Sequence, residues 1–147
     1  MFKKVLLSFL AVAALAFSGA VIAQKTGALQ ENVATATSRT ATYTSNDMFA
    51  RPGDKGITVY GIITSLTSES VTFTIQAKTP QATYVDVLSS AVTGSTGTVA
   101  LSLAPGITNT ANVSLPQILP PVFRIKATHS ATGSATYSIG VNRSVTN

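Results

Sequence analysis

The sequence predicts an all-β protein: a single antiparallel β-sandwich of about seven to eight strands, with either a jelly-roll or an immunoglobulin-like connection. Two observations favour this class. Apolar and polar residues alternate with a period of two in short segments spaced about ten residues apart. Proline- and glycine-rich stretches separate these segments, and helical periodicity is not found after residue 23.

The predicted strands follow one another in order along the chain. A weak strand at Arg39–Thr44 precedes a turn-rich loop, residues 45–56. Regular strands are then expected at Ile57–Ser65, Val71–Ala77, Thr83–Ser89 and Thr98–Leu103. A long connection with four prolines, residues 104–121, leads to a final hairpin. Its inward faces are expected to carry Phe123, Ile125 and Ala127 on one strand, and Ala135, Tyr137, Ile139 and Val141 on the other.

The N-terminus has the pattern of a secretory signal peptide. Lys3 and Lys4 precede an apolar stretch, Val5–Phe17, and the small residues of Val21–Ala23 predict cleavage before Gln24. The alternative is an uncleaved anchor, because the segment from Val5 to Ala23 is just long enough to span a thin bilayer core. The expected organisation is a signal peptide or anchor at 1–23, a flexible arm at 24–38 and a β-sandwich domain at 39–147.

The composition narrows the cellular compartment and the classes of partner that we expect for this protein. Ten basic and five acidic residues give a formal net charge of +5, and removal of residues 1–23 lowers it to +3. These charges are scattered, so no nucleic-acid partner is expected. The chain has no cysteine, which excludes a disulfide scaffold and a lipid-anchored cysteine. The protein is expected to be exported to the periplasm, cell surface or medium, with membrane contact only through residues 5–23 if they are uncleaved.

Few residues could carry chemistry. His129, the only histidine, lies where a strand meets a turn, and a zinc site needs three or four converging ligands. Asp47 and Asp54 share one loop and could hold calcium, although Asp54 more simply shapes the turn after Pro52. The chain lacks a G-x-S-x-G motif and a nucleophilic cysteine, so we expect no enzyme activity and no cofactor.

Two tyrosines could bind a ligand. Tyr60 and Tyr84 fall opposite the most apolar strand faces, where a ring could stack on a sugar, although cross-strand surface tyrosines are the simpler interpretation. The residues that could contact a ligand or partner are therefore Tyr60, Tyr84, Asp47, Asp54 and His129.

About residues 51–142 resemble a family of small, mostly uncharacterised β-sandwich proteins of tailed bacteriophages and prophages. The resemblance lies in "VYGIIT", "FTIQAKTPQATYVDVLSSA", "TGTVALSLAPGITNTANVSLPQILPPVFRIKATHS" and "SATYSIGVN", in this order. It implies a virion-associated or particle-surface role. His129 matches the family's Thr-His position, to which the resemblance assigns no chemistry. Residues 1–23 indicate export instead, so cellular and viral settings both stay open.

Together these observations predict a non-catalytic, exported structural or surface-interaction protein, with a phage-like particle-surface component as one form of that role. Partner proteins or further copies of the chain would attach through the sheet edges. The alternative is a secreted module that binds a glycan or another ligand.

Overall fold

The computed structural model describes residues 29–145, which form strands, turns and loops without a helix. Within these residues there is accordingly no apolar helix long enough to cross a membrane. Seven strands have six residues or more, and three have only two. The strands are β1 (Leu29–Arg39), β2 (Tyr43–Thr44), β3 (Met48–Phe49), β4 (Asp54–Thr67), β5 (Val71–Lys78), β6 (Tyr84–Ser89), β7 (Gly97–Leu103), β8 (Ser114–Leu115), β9 (Val122–His129) and β10 (Ser134–Val145).

The strands form two sheets of five strands each. Sheet A has the order β1-β10-β4-β7-β8, and sheet B has the order β2-β9-β5-β6 with β3 also paired to β9. Every pair is antiparallel except β7 with β8. The pairing is nested along the chain, because β1 pairs with β10, β2 and β3 with β9, β4 with β7, and β5 with β6. Successive nested pairs fall alternately in sheet A and sheet B.

The two sheets enclose one shared hydrophobic core. Phe73 of sheet B meets Tyr137 of sheet A edge to face, with ring centroids 5.5 Å apart. Gly61 makes room for this contact, because a Cβ at this position would lie 2.5 Å from the Phe73 ring. The largest fully buried apolar residues are Val59, Val71, Phe73, Ile75, Leu101, Leu103, Phe123, Ile125, Tyr137, Ile139 and Val141.

The all-β class and the regular strands are confirmed. Each strand predicted from Ile57 onward is present, with ends shifted by up to four residues. The inward faces predicted for the final hairpin are also confirmed, because Phe123, Ile125, Tyr137 and Ile139 are fully buried.

Four details of the prediction need correction. Residues 29–38, assigned to a flexible arm, belong to β1, an edge strand whose mostly exposed polar residues show little alternation. The weak strand at Arg39–Thr44 is divided between the end of β1 and β2. The loops at 45–56 and 104–121 contain β3 and β8, which pair over only two residues each. Residues 29–145 contain ten strands instead of the seven or eight expected, and the parallel β7–β8 pair makes sheet A mixed. The predicted signal peptide or anchor lies outside the described residues.

The strand register defines two ends of the molecule. At one end, Leu29 pairs with Arg143, whose guanidinium donates to the carbonyl oxygen of Phe49 in sheet B at 3.0 Å. We call this the terminal end, because β1 begins and β10 ends there. At the opposite end, which we call the turn end, Val71 pairs with His129.

Candidate functional site

The five residues proposed from the sequence lie in four places. Asp47 and Tyr84 meet on the outer face of sheet B, and Asp54 lies inside the terminal end. His129 is buried at the turn end, and Tyr60 lines a groove on the outer face of sheet A.

Asp47 and Tyr84 belong to a polar group that we call the outer-face cluster. The Tyr84 hydroxyl donates to Asp47 Oδ1, and Lys78 Nζ lies 2.7 Å from Asp47 Oδ2. The hydrogen bond from Lys78, followed by that from Tyr84, holds the pKa of Asp47 below its usual value. The hydrogen bond to Asp47 likewise raises the pKa of Lys78. Both Asp47 oxygens are therefore engaged by side chains of the same chain.

The outer-face cluster continues across three strands. Arg124 places its guanidinium carbon 3.4 Å from the centroid of the Tyr84 ring, and its Nε donates to Gln76 Oε1 at 2.8 Å. The Gln76 amide in turn donates to Asp86 Oδ1 at 2.6 Å. Register brings these side chains together, because Gln76 pairs with Asp86 on one side and with Arg124 on the other. One face of the Tyr84 ring is thus covered by Arg124.

Asp54 is held by a buried arginine at the terminal end. Arg143 Nη1 lies 2.7 Å from Asp54 Oδ2, and the two side chains are 2 % and 0 % exposed. Glu31 Oε2 lies 3.3 Å from Arg143 Nη2, so two acids face one cation. The backbone N–H of Arg51 also donates to Asp54 Oδ2, at 2.9 Å. Asp54 thus shapes the turn after Pro52, the simpler interpretation of the sequence, and it also forms an ion pair with Arg143.

Asp47 and Asp54 contact different cations, Lys78 and Arg143. Across residues 29–145 there is no group of three or more histidine, cysteine or acidic side chains that could hold a metal ion. Calcium at this pair stays a prediction from the sequence.

His129 forms a buried pair with Glu69. His129 Nδ1 lies 3.4 Å from Glu69 Oε2, and the side chains are 3 % and 0 % exposed. The other ring nitrogen, Nε2, is 3.3 Å from the hydroxyl of Tyr137. Sequence analysis placed His129 where a strand meets a turn, and the structure agrees, since β9 ends at His129. It did not identify Glu69 as the partner, since a glutamate between two serines in a short connection has the pattern of an exposed turn.

Glu69 caps the backbone of the last hairpin turn. Its Oε1 accepts hydrogen bonds from the N–H groups of Ser70, Ser130 and Ala131 at 2.8–2.9 Å, and from the Ser130 hydroxyl at 3.0 Å. Burial raises the pKa of this carboxyl, but the four hydrogen bonds outweigh burial and lower the pKa to about 2. The carboxylate therefore joins the β4–β5 and β9–β10 connections.

Arg39 extends this network to the edge of the core. Its guanidinium lies between two aromatic rings, 4.9 Å from the Tyr43 centroid and 4.6 Å from the Tyr137 centroid. Desolvation raises the pKa of the Tyr137 hydroxyl to about 12, although the charge of Arg39 opposes that shift. Sequence analysis missed Arg39 because no local pattern brings β1, β2 and β10 together.

Tyr60 lies in an open groove on sheet A between the outer faces of β1, β10 and β4. The groove has a volume of about 760 Å³ and is lined in part by Asn32, Tyr60, Ile62 and Asn142. Tyr60 is half-buried and stands opposite Gly140 in the register, a residue that contributes no side chain. The groove thus combines an aromatic ring, an aliphatic side chain and amides.

Comparison with known proteins finds no matching family model and no matching curated protein.

Proposed function

We propose that this protein is a non-catalytic, exported structural protein that joins partners at a surface or a particle through the edge of its sheet. We further propose a jelly-roll connection in place of an immunoglobulin-like one. The nested pairing supports it, since a jelly roll is a long hairpin wrapped into two sheets with first and last strands adjacent. Jelly rolls occur in viral capsids and lectins, an analogy of fold alone.

The observation that carries the proposal is the open edge of β1. This strand has eleven residues, lies at the end of sheet A, and pairs only with β10 among the described strands. The backbone groups of an edge strand are a template on which another extended segment can add. Edge strands of six residues or fewer, such as β6 and β8, offer less of this surface.

The side chains of β1 also leave the edge unprotected by charge. Natural edge strands are commonly guarded by lysine or another charge near their centre. Seven consecutive residues, 32–38, are uncharged, and the two charged residues, Glu31 and Arg39, lie nearer the ends. Glu31 is held by Arg143, and Arg39 folds back onto the Tyr137 carbonyl at 2.8 Å. The middle of the strand is therefore available to a second copy or to an extended segment of another protein.

The ionisable clusters support a structural role as well. The outer-face cluster, the Asp54–Arg143 pair and the Glu69–His129 pair each join separate strands or connections through contacts between their own side chains. These contacts stabilise the fold that presents the β1 edge.

A proline in β1 tests the proposal. The β1–β10 register skips Ala36, which is exposed, so Ala36→Pro removes a backbone N–H from β1 without removing a paired residue. We expect this variant to be missing from the high-molecular-weight assemblies of detergent-solubilised envelopes or particles and to fractionate as a single chain. Ala36→Ser, which keeps the N–H, should fractionate as the wild type does. Unchanged fractionation of a folded Ala36→Pro protein would contradict the role of the edge.

The groove around Tyr60 favours a second function, the binding of a glycan. An aromatic ring flanked by amides and hydroxyls is the chemistry that binds sugars, by stacking and by hydrogen bonds. On a glycan array, Tyr60→Ala should abolish any specific signal. Tyr84→Ala should keep it, because Arg124 already covers a face of that ring. No signal from the wild type, or equal loss in both variants, would exclude the groove as the site.

A further inference from the structure

The terminal end carries exposed apolar side chains that the core does not use. Phe49 is 62 % exposed and Ile118 is 76 % exposed. Phe49 pairs with Val122 in the β3–β9 register, and Val122 lines a groove of about 600 Å³ together with Ile118, Pro80 and other residues. We call Phe49, Pro80, Ile118 and Val122 the end patch. Exposed apolar side chains grouped in this way mark a contact surface.

The end patch lies where the chain enters the fold. Leu29 begins β1 opposite Arg143, and the Arg143 guanidinium reaches the carbonyl of Phe49. Six residue steps separate Leu29 from Ala23, the last residue of the predicted signal peptide or anchor. Even fully extended, six steps span only about 22 Å. While residues 1–23 are attached and inserted in a membrane, Leu29, at the terminal end, stays within that distance of the membrane.

Basic side chains accompany the end patch. Arg51 follows Phe49 by two residues and its side chain is 51 % exposed, with a single distant acid partner, Glu31, at 3.5 Å. Lys55 is exposed and makes no ion pair within the described part of the chain. Two acidic side chains of this end, Asp47 and Asp54, are paired with Lys78 and Arg143 instead. Exposed cations beside apolar side chains match the chemistry of an anionic lipid surface.

We propose that the terminal end is a membrane-contact surface. Phe49 and Ile118 enter the interface between headgroups and acyl chains, and Arg51 and Lys55 contact anionic headgroups. The β1 edge then stands beside the membrane, open to partners on the same surface. This contact goes beyond the proposed assembly function and does not depend on it.

The chain has no tryptophan, so a single introduced tryptophan reports on one position. The full-length protein is reconstituted in phosphatidylcholine–phosphatidylglycerol vesicles, with and without brominated acyl chains that quench indole fluorescence on contact. Phe49→Trp is compared with Val92→Trp, a matched control at the turn end, where the side chain is 68 % exposed. Circular dichroism confirms that both variants are folded.

We expect the emission of Phe49→Trp to shift to shorter wavelength and to be quenched at least twofold more than that of Val92→Trp. Adding Lys55→Gln to Phe49→Trp should reduce the shift in emission wavelength. Vesicles of phosphatidylcholine alone should reduce it as well. Equal quenching at the two positions, or an unshifted Phe49→Trp spectrum in anionic vesicles, would overturn the proposal. Adding Ala36→Pro should not change the quenching, which separates this test from the test of the β1 edge.

Discussion

Glu69 shows how a buried charge is accommodated beside a core of aliphatic and aromatic side chains. An ionised carboxylate is costly to bury unless hydrogen bonds replace its water. Oε1 of Glu69 has four donors, while Oε2 has only His129 nearby, at 3.4 Å. The charged form is therefore favoured in the folded protein, which links its stability to pH.

Stability should fall in acid in a way that depends on Glu69. The folded pKa of about 2 lies below the ordinary value of 4.5, so the contribution of Glu69 is complete above about pH 4.5 and is lost as the pH falls toward 2. Glu69→Gln cannot titrate, so its free energy of unfolding should change less over this range. Urea unfolding at half-unit steps of pH measures the free energy of unfolding of the wild type and of Glu69→Gln. Parallel curves of free energy against pH would contradict the role assigned to Glu69.

Gly61 is a second position of interest, because a single added Cβ atom would disturb the packing of the Phe73 ring. Gly61→Ala would place a methyl group 2.5 Å from the Phe73 ring, and we expect the free energy of unfolding to fall by about 1–3 kcal/mol. Gly140→Ala is the matched control on the neighbouring strand, because its Cβ would meet nothing nearer than 3.8 Å. Urea unfolding should show little loss for the control. Equal losses in both variants would mean that strand conformation, and not the Phe73 contact, sets the effect.

At the scale of elements, β1 depends on one side chain more than on apolar burial. Arg39 donates to the carbonyl oxygens of Thr35, Thr37 and Tyr137 at 2.8–3.2 Å. These bonds lie where the β1–β10 register is interrupted, so the guanidinium replaces ladder hydrogen bonds that the irregularity removes. Across residues 30–39, Ala34 is buried in the core and Val33 is partly buried against it.

Arg39→Ala should therefore loosen β1 before the rest of the fold. We expect a loss of roughly 1–3 kcal/mol in the free energy of unfolding, and faster hydrogen exchange at β1 amides than at those of β7. Arg39→Lys keeps the charge but not the planar fork, so it should recover only part of the loss. If exchange accelerated equally in β1 and β7, Arg39 would be stabilising the molecule as a whole instead of this strand.

The strands that the sequence predicted well are those with one buried and one polar face. Alternation in β5 and β9 is regular because each lies inside sheet B with the core on one side. β1 has one neighbour and few buried residues, so its sequence has no such pattern. Arg143 could have been found, because it continues the inward series of Tyr137, Ile139 and Val141.

At the scale of the whole molecule, the nested strand order could not be derived from alternation, which specifies faces and not neighbours. The candidate residues were found in the sequence, but their partners were not. Tyr84 with Asp47 and His129 with Glu69 join residues 37 and 60 positions apart. Such pairs depend on register across separate hairpins. The sequence does predict that the N-terminal segment directs export, and the functional account depends on that.

Export is tested most directly by the intact mass of the native protein in separate fractions of its producer: cytoplasm, envelope, medium and gradient-purified particles. The account predicts a chain beginning at Gln24 in the envelope, medium or particles, or a chain beginning at Met1 that is held in the envelope or particles. A chain beginning at Met1 and found only in the soluble cytoplasm would contradict it.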